Sequence, residues 1–367
     1  MDATYPSEII DPEADQIFGR RPDSVVRLAH ASATSGVWRV NAGAETCIVK
    51  MLVPPGGHDP ETSEATSFRY WLREDHIYGA GLPQPYLSAG IRAARLLARF
   101  DHFDRSVTLW LEDVLGTSGA AWDLPAFAEA SRRLGRAQGG YLAGRSLPWN
   151  AWLSQSFLRN YLAGRPAQFD EFLTSNVAWD QPSIARHFDP GLRGELRRLR
   201  ADRERLLGWV ESAPRTFAHL DFWPENLFMV GDDLVVIDWS HAGIGAGGED
   251  PGNLIPDSVF DMRHPASSLP EMDRTVTAAY LAGLRDAGWE GDERIVRLAM
   301  TASACKYDWI AGATLSRATG EPATQTVYGG VHVSLEQLVA TRAEALRYLV
   351  GWADEARRLA AELGLEG

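Results

Sequence analysis

One segment constrains the fold of this chain more than any other: FAHLDFWPENLFMVGDDLVVIDWS, residues 217–240. Two short apolar runs, NLFMV and LVVID, flank the turn sequence GDD, and together they predict a β-hairpin. Asn226 lies five residues after Asp221, and Asp238 lies twelve residues after Asn226. Because a hairpin brings its two ends together, we predict that Asn226 and Asp238 meet beside Asp221.

An acid, an amide oxygen and a second acid in one place match the needs of magnesium-assisted phosphoryl transfer. The first acid accepts or orients the proton of an attacking hydroxyl, and the other two groups are hard oxygen ligands for Mg²⁺. The alternative is a capped hairpin whose loop acids are only solvated and have no catalytic function. The spacing of Asp221 and Asn226 is too common to distinguish between these two interpretations. The phosphoryl-transfer interpretation is favoured because the segment also contains His219, Pro224 and an apolar strand that ends in Asp-Trp.

The residues HLDFWPENLF and VVIDWS resemble the signature of the aminoglycoside phosphotransferase and choline kinase family, H-G-D-x-x-x-x-N followed by I-D-W/F. Members of this family are kinases of small molecules and resemble protein kinases in fold. The resemblance implies that Asp221 is the catalytic base, that Asn226 and Asp238 bind Mg²⁺, and that ATP or GTP is the phosphate donor. It also implies that His219 braces the catalytic loop.

Two residues depart from the family pattern. Leu220 replaces the usual Gly after the His, and Glu225 replaces the usual Gly before the Asn. The first change is expected to alter packing. The second places a bulky anion beside the implied metal site, where it tunes metal or substrate binding. Neither change removes a chemical group that the reaction needs.

Composition and charge narrow the possible partners. The chain has 367 residues, of which 45% are hydrophobic, and only two are cysteines, Cys47 and Cys305. Two cysteines exclude a disulfide framework and suit a reducing cytoplasm. The acidic N-terminal sequence is unlike a signal peptide, and no run reaches the length of about 20 apolar residues that a membrane span needs. The net charge of −13 disfavours nucleic acid and is compatible with a cationic small molecule, while the oligomeric state stays open.

The order of the apolar patterns predicts an α+β, two-lobe, protein-kinase-like fold. The runs SVVRLAHA, GVWRVNA, TCIVKMLV and VTLWLEDV predict the strands of a small N-terminal antiparallel sheet. Between the third and fourth runs, Phe68, Trp71, Leu72 and Tyr78 recur at helical spacing and predict one main helix. We expect residues 1–114 to form this nucleotide-binding lobe and residues 115–367 to form a larger, mainly helical lobe. Ser334 and Gln337 form a capping box for a long last helix.

The nucleotide side of the site is predicted around Lys50. Lys50 shares a face of its strand with Ile48 and Leu52. We therefore expect Lys50 to have a role other than that of a solvated surface residue. The family resemblance implies that Lys50 holds the α- and β-phosphates and that a helix acid fixes it. We prefer Glu74 for that acid over the alternatives Asp75 and Glu64.

Two further segments belong to this side. Ser32, Thr34 and Ser35 lie between the first two predicted strands, where a loop covering the phosphates is expected, and their hydroxyls are candidate donors. The strand LWLEDV is expected to offer backbone groups near Glu112 to the adenine.

A competing motif, GIGAGG at residues 243–248, fits the glycine pattern of dinucleotide-binding proteins. That fold requires a helix to begin at the glycines. We expect Pro251 and Pro256 to prevent a helix here, and this argues against an oxidoreductase.

The acceptor is expected to bind after Asp238 and in the helical lobe. Glu249, Asp250, Asp257 and Asp261 form an acidic run that is either a solvated loop or a negative wall for an amine-bearing acceptor. Other candidates are Trp223, for stacking or a cation–π contact, and Lys306, Asp308 and Trp309. The favoured function is phosphorylation of an aminoglycoside-like or other antibiotic. The alternatives are a metabolic kinase for choline or an amino sugar, and a catalytically inactive binding protein.

Overall fold

The computed structural model of the chain describes residues 5–29, 36–55, 60–320, 324–326 and 330–365. The candidate phosphate-loop residues Ser32, Thr34 and Ser35 lie outside these ranges. Within them, no helix combines the length and the apolar character that crossing a bilayer requires.

The strands are short and occur throughout the chain. In chain order they are β1 (Ser24–Ala29), β2 (Gly36–Ala42), β3 (Glu45–Leu52), β4 (Ile91–Ala93), β5 (Leu96–Asp101), β6 (Val107–Glu112), β7 (Thr117–Ser118), β8 (Arg215–Ala218), β9 (Leu227–Val230), β10 (Asp233–Val236), β11 (Gly243–Ala246), β12 (Thr324–Thr326) and β13 (His332–Ser334).

The longer helices lie mainly in the second half of the chain. In chain order they are α1 (Ser7–Phe18), α2 (Pro60–Ser63), α3 (Arg73–Gly79), α4 (Leu124–Leu142), α5 (Phe157–Ala163), α6 (Gln168–Thr174), α7 (Asn176–Trp179), α8 (Pro182–Ala185), α9 (Pro190–Ala201), α10 (Arg203–Ser212), α11 (Glu249–Phe260), α12 (Leu269–Asp286), α13 (Glu293–Ala302), α14 (Asp308–Thr319) and α15 (Leu335–Glu362).

The chain forms two compact units. The first contains Met1–Gly116, Pro148–Ser154 and Phe228–Ala242, and the second contains the remaining residues. The first unit thus extends close to the boundary expected at residue 114 and takes in two later segments, which a single boundary along the sequence does not anticipate.

The first unit is built on an antiparallel five-stranded sheet in the order β1-β2-β3-β6-β5. Side chains of the central strand β3 alternate between two hydrophobic cores. Val49 and Met51 belong to one core, which also receives residues of α1. Ile48 and Leu52 belong to the other, with residues of β6 and of the α3 region. The alternation follows from strand geometry and places Lys50 on the side of Ile48 and Leu52.

The main helix of this unit is shorter than its apolar spacing predicts. Helix α3 begins only at Arg73, so Phe68, Trp71 and Leu72 lie in the turns that precede it. Trp71 and Leu72 still pack against the second core. The spacing of these residues therefore indicated correctly that they are buried against the sheet, but it did not require a continuous helix.

The second unit is mainly helical and contains one two-stranded sheet that pairs β8 with β11 antiparallel. Helices α4 and α12 approach closely at Gly135 and Gly283, because a Cβ atom on either glycine would meet backbone of the other helix within 2.2 Å. The predicted last helix is confirmed as α15, and the Ser334 hydroxyl accepts the backbone N–H of Gln337 at 3.1 Å.

Helix α11 corrects the expectation that prolines prevent a helix after residue 248. Pro251 lies in its first turn, where a backbone N–H has no helical partner to lose, and Pro256 is accommodated within the helix. The dinucleotide-binding interpretation still fails, because β11 pairs antiparallel with β8 and the described residues show no parallel partner for it.

Each unit holds one of the two cysteines in its core. Cys47 and Cys305 are free and have no exposed surface. Burial raises the pKa of the Cys47 thiol to about 12 and raises that of Cys305 well above its usual range.

Candidate active site

In the first unit, Lys50 bridges two carboxylates. Its Nζ lies 2.7 Å from Glu74 Oε2 and 2.9 Å from Asp238 Oδ1. The structure thus pairs Lys50 with the acid that the sequence favoured, whereas Asp75 pairs with Arg99. Burial acts to lower the pKa of Lys50, but the charges of Asp238 and Glu74 outweigh it and hold the lysine protonated.

The two carboxylates of this cluster lie in different surroundings. Glu74 is almost fully buried, and burial raises its pKa against the opposing effect of Lys50. The Asp238 side chain keeps 32% of its surface exposed. Burial acts to raise the pKa of Asp238, but Lys50 holds it well below its usual range. Of these two acids, Asp238 is therefore the one with surface available to a ligand.

Asp238 has an unusual backbone conformation, with φ 59° and ψ 66°. Non-glycine residues are uncommon in this left-handed region, although Asp adopts it more readily than most, and those that adopt it cluster at functional sites. The next residue helps to hold the conformation, since the Trp239 N–H donates to Glu74 Oε1 at 3.3 Å. Glu74 therefore contacts both Lys50 and the backbone that follows Asp238.

Arg73 anchors the helix that carries Glu74, and sequence reasoning missed it. Its guanidinium is fully buried and donates to the carbonyl oxygens of Phe68 at 2.8 Å, Ser240 at 2.9 Å and Trp152 at 2.6 Å. Burial lowers the pKa of Arg73 to about 10. No signal in the sequence identifies these partners, because all of them are backbone atoms and two of them, in Trp152 and Ser240, belong to distant segments.

In the second unit, Asp221 and Asn226 form one hydrogen-bonded loop. Asn226 Nδ2 donates to the backbone oxygen of Asp221 at 3.0 Å and to its Oδ2 at 2.9 Å. Because the amide nitrogen is engaged in this way, the amide oxygen is the atom left for a ligand. A 3₁₀ turn, Pro224–Asn226, closes the loop.

Asp250 lies in the interior of the unit, with no surface open to a ligand, and supports this loop through hydrogen bonds. It is fully buried, and its carboxylate accepts the backbone N–H groups of His219 at 3.0 Å and Leu220 at 2.7 Å. Gln138 Nε2 donates a third hydrogen bond at 2.6 Å, and Gln138 is itself fixed by Tyr280. Asp250 was expected to belong to a negative wall that faces the acceptor. This expectation is corrected, because its carboxylate oxygens accept hydrogen bonds from the catalytic loop.

Two other members of the acidic run, Glu249 and Asp257, also have internal partners. Glu249 is 7% exposed and accepts the backbone N–H of Ala246 at 2.9 Å. Asp257 lies 3.1 Å from Lys306 Nζ. Burial raises the pKa of Asp261 to about 7. Glu249, Asp250 and Asp257 therefore form neither a solvated loop nor the expected negative wall, since they belong to helix α11 and have partners within the unit.

Lys306, in the second unit, experiences the charge of Asp221. It is 6% exposed, and burial acts to lower its pKa, while Asp257, Tyr161 and Asp221 raise it above the usual value. Its Nζ also lies 5.2 Å from the centre of the Tyr161 ring. A small pocket with room for about one water molecule adjoins it. The pocket is lined by Phe157, Leu158, Leu220, Glu249, Gly252, Asn253, Ser303 and Lys306.

The two aromatic candidates, Trp223 and Trp309, offer little free surface to an acceptor. Trp223 is 6% exposed and thus does not present a free stacking surface. Trp309 stacks on Phe169 with ring centres 5.7 Å apart and lies under the Arg165 guanidinium. These contacts leave little of either indole available to an acceptor.

Three other candidates are held by neighbouring side chains. The Glu112 carboxylate receives two hydrogen bonds from Arg92, at 2.7 and 2.9 Å, and Asp308 pairs with Arg203. His219 is buried and contacts Phe222 edge to face, with ring centres 6.2 Å apart.

Comparison with known proteins assigns the family. The model of the phosphotransferase enzyme family, APH, matches residues 25–293, which is more than half of the chain. The chain belongs to the APH family. Its members transfer phosphate, as the resemblance of the catalytic segment to small-molecule kinases predicted. No protein with a curated description matches the chain significantly in sequence.

Solved structures of small-molecule kinases share the fold of this APH-family chain. Amicoumacin kinase hAmiN, in complex with AMP-PNP, Ca²⁺ and Ami, is 15% identical, with 95% of this chain and 94% of that chain covered and a TM-score of 0.57. Spectinomycin phosphotransferase APH(9)-Ia, in complex with ADP and spectinomycin, is 11% identical, with 97% and 99% covered and a TM-score of 0.54. A choline kinase from Cryptosporidium parvum Iowa II is 11% identical, with 98% and 97% covered and a TM-score of 0.52. These likenesses confirm the predicted kinase-like α+β fold.

The two departures from the APH-family pattern acquire a physical meaning in the structure. Leu220, where the family has Gly, has φ 66°, a conformation that suits glycine better than leucine. Glu225, the second departure, lies 2.5 Å from the Arg263 guanidinium, so its charge is compensated. The expectation of a bare anion at residue 225 is thereby corrected.

Each unit offers a hard oxygen atom of the kind that Mg²⁺ prefers. In the first unit this is the partly exposed carboxylate of Asp238, and in the second it is the amide oxygen of Asn226.

Proposed function

We propose that this protein transfers the γ-phosphate of ATP to a hydroxyl group of a small molecule. The observation that carries the proposal is the double ion pair of Lys50 with Glu74 and Asp238, found in a chain of the APH family. A buried lysine held between two acids is fixed in place and charged, as a residue that binds nucleotide phosphates must be.

Each group has a proposed role. Lys50 binds the nucleotide phosphates, and Glu74 holds Lys50 in position. Asp221 accepts or orients the proton of the acceptor hydroxyl, a contribution worth about 10²- to 10⁴-fold in rate. Asn226 and Asp238 are the residues that would hold Mg²⁺, which neutralises phosphate charge when bound. His219 and Asp250 support the loop that presents Asp221.

Further contacts with the nucleotide are proposed from the sequence. Ser32, Thr34 and Ser35 are candidate donors to the phosphates, and the backbone near Glu112 is the candidate contact for adenine. The proposed donor is ATP or GTP, and the proposed location is the cytoplasm, where free thiols such as Cys47 and Cys305 persist.

The proposed acceptor is an antibiotic with a free hydroxyl group. Two of the structurally similar kinases have antibiotics in their names, amicoumacin and spectinomycin, and this supports a role in antibiotic resistance. A metabolic kinase is the second candidate and is supported by the likeness to a choline kinase. The argument for a cationic acceptor is weakened, because the acidic run on which it rested is engaged within the unit.

An inactive binding protein is the least supported alternative. Such a protein has no need of Asp221, yet the chain keeps Lys50, Asp221, Asn226 and Asp238 together with the contacts described above.

The test is phosphate transfer from γ-labelled ATP to a panel of hydroxylated antibiotics and metabolites, with Mg²⁺ present. We expect labelled product with at least one acceptor and none with the Asp221→Asn variant. Transfer to choline or an amino sugar alone would select the metabolic alternative. ATP binding without transfer to any acceptor in a broad panel would select the binding protein.

A further inference from the structure

An arginine that follows helix α11 contacts the catalytic loop of the second unit. The Nη2 atom of Arg263 lies 2.5 Å from Oε1 of Glu225, the residue directly before the proposed metal ligand Asn226. The Arg263 side chain is 16% exposed and the Glu225 side chain is 31% exposed. Because partly buried charges are screened less than fully solvated ones, this ion pair can restrain the loop.

The ion pair acts on a short turn that is also held elsewhere. Glu225 is the middle residue of the 3₁₀ turn Pro224–Asn226. The Asn226 side chain donates to Asp221, and the turn packs closely against Gly119, where an added Cβ would lie 2.5 Å from a backbone oxygen of the turn. Because Glu225 and Asn226 are adjacent, fixing the first restricts the directions in which the amide oxygen of the second can point.

The residue before Arg263 has a strained backbone. Met262 has φ 60°, in the left-handed region where a long side chain is an outlier, and it ends helix α11 at a position where glycine is the common residue. Its N–H donates to the Val259 oxygen at 2.9 Å, and its side chain packs against Val333 and Leu338. Such strain persists where the surroundings fix the backbone, and it is concentrated at functional sites. Here it sets the direction in which the chain leaves the helix toward residue 263.

We propose that Arg263 is a positioning residue for Asn226 and acts through the Glu225 carboxylate. This inference rests on the proposed function, because it assumes that the amide oxygen of Asn226 binds Mg²⁺. The contact is a feature of this chain, since the usual residue of the APH-family pattern at position 225 is Gly, which has no side chain for an arginine to hold.

A different role for Arg263, neutralising the charge of Glu225 without positioning the loop, has consequences of the opposite sign. If Arg263 only neutralised this charge, its removal would leave a free anion next to a metal ligand and would strengthen the binding of Mg²⁺. If Arg263 positions Asn226, its removal weakens the binding of Mg²⁺. The sign of the change in metal affinity therefore distinguishes the two roles.

The first test measures metal-dependent binding without catalysis. AMP-PNP is titrated by calorimetry with and without Mg²⁺ at constant ionic strength. We expect Arg263→Gln to weaken the Mg²⁺-dependent part of the affinity by about 3- to 10-fold, the size expected for one lost contact, and to leave the remainder unchanged. Arg263→Lys keeps the charge and should lose less. An unchanged or tighter Mg²⁺-dependent affinity in Arg263→Gln would overturn the proposal.

A double-mutant cycle tests whether Arg263 acts through Glu225. In the Glu225→Ala background the contact is already gone, so adding Arg263→Gln should cause no further loss of Mg²⁺-dependent affinity. A further loss as large as in the wild-type background contradicts the proposal.

The matched control is Arg133→Gln on α4, because the Arg133 side chain is 15% exposed and lies 2.6 Å from Glu129 of the same helix. It should bind AMP-PNP as the wild-type protein does. A loss equal to that of Arg263→Gln would assign the effect to general destabilisation and overturn the proposal.

The second test needs no nucleotide. The backbone N–H groups of Trp223 and Asn226 donate within the loop, at 3.1 and 3.0 Å, so their hydrogen exchange reports its opening. In peptides that cover residues 222–227, exchange should be about threefold faster or more in Arg263→Gln and unchanged in Arg133→Gln. If the wild-type protein does not bind AMP-PNP, the proposed function fails, and equal exchange in the wild-type protein and Arg263→Gln would then overturn the positioning role as well. If Arg263→Gln does not fold, Arg263→Lys and Glu225→Ala supply the same comparisons.

Discussion

The carboxylate of Asp250 accepts the backbone N–H of Leu220 at 2.7 Å, and this bond holds Leu220 at a positive φ of 66°. The Leu220 side chain fills the space over Gly245, where an added Cβ would lie 2.7 Å from Leu220 Cδ2. The loop that leads to Asp221 is therefore held by a hydrogen bond to its backbone and by packing of a large side chain, at a position where the APH-family pattern has Gly.

We first predict the effect of removing the Leu220 side chain. Leu220→Ala and Leu220→Gly should both reduce the free energy of unfolding by about 2–3 kcal/mol through lost burial. The alanine variant should be the less stable of the two by about 1 kcal/mol, because only glycine relieves the positive φ. Urea denaturation measures both differences.

The control pair is Leu207→Ala and Leu207→Gly, in the middle of helix α10, where alanine should be the more stable by about 1 kcal/mol. If the alanine variant were more stable than the glycine variant at residue 220 as well as at residue 207, Leu220 would not be strained.

A second prediction concerns pH and Asp250. Burial raises the pKa of Asp250 to about 7 from its usual 3.8, so the folded state holds this proton more tightly than the unfolded state. The contribution of Asp250 to the free energy of unfolding should therefore be largest below the unfolded pKa and should fall by up to about 1.4 kcal/mol per pH unit until the pH passes the folded pKa.

Asp250→Asn should show a flatter decline in stability over this range than the wild-type protein, measured as unfolding free energy at several pH values. Asp180→Asn, which alters an exposed carboxylate, is the control for the substitution itself. A variant profile parallel to that of the wild-type protein would assign the pH dependence elsewhere, with Asp261 the next group to test.

The third prediction separates chemistry from binding at Asp221. Asp221→Asn keeps the volume of the side chain and can still accept the hydrogen bond from Asn226 Nδ2, so the loop should keep its shape. Turnover should fall by about 10²- to 10⁴-fold, while the affinity for AMP-PNP changes little. Turnover within tenfold of the wild-type value would remove Asp221 from the role of base.

A fourth prediction concerns the metal ligands. Asp238→Ala should abolish the Mg²⁺-dependent part of AMP-PNP binding, and Asn226→Ala should weaken it, because each removes a hard oxygen ligand. Calorimetry with and without Mg²⁺ gives the metal-dependent part directly. Affinities that are unchanged in both variants would place the metal at other residues.

The fifth prediction concerns the buried cluster at Lys50. Lys50→Met should weaken AMP-PNP binding and leave the acceptor KM nearly constant. It should also destabilise the fold by about 3–5 kcal/mol, since Glu74 and Asp238 lose the charge that compensates them. The double variant with Glu74→Gln should recover part of the stability but none of the turnover, which separates the folding effect from the functional one. A double variant that regains turnover would contradict the assignment.

The site residues that could be predicted from the sequence are those fixed by local patterns. The β9–β10 hairpin follows from two apolar runs around a Gly-Asp-Asp turn, and Lys50 was identified because strand alternation places a charge among aliphatic residues. The N-terminus of α15 was predictable because Ser334 and Gln337 are only three residues apart.

Contacts between distant segments were not predictable. The acidic residues after 248 looked like a surface because their partners, Gln138 and Lys306, lie far away in sequence. Helix α11 was missed because Pro251 reads as a helix breaker unless the position of the first turn is known. The burial of Arg342 has no local signal in the sequence, since an arginine in a helix pattern ordinarily indicates a solvated face.

The buried cysteines give this protein a pair of internal reporters. Cys47 lies three residues before Lys50 in the core of the first unit, and Cys305 directly precedes Lys306 in the core of the second. Because neither thiol is exposed, each reacts with an alkylating reagent only when its own core opens. The alkylation rates of the two thiols thus report the local opening of each unit separately, and a ligand that slows one rate reveals which unit it has closed.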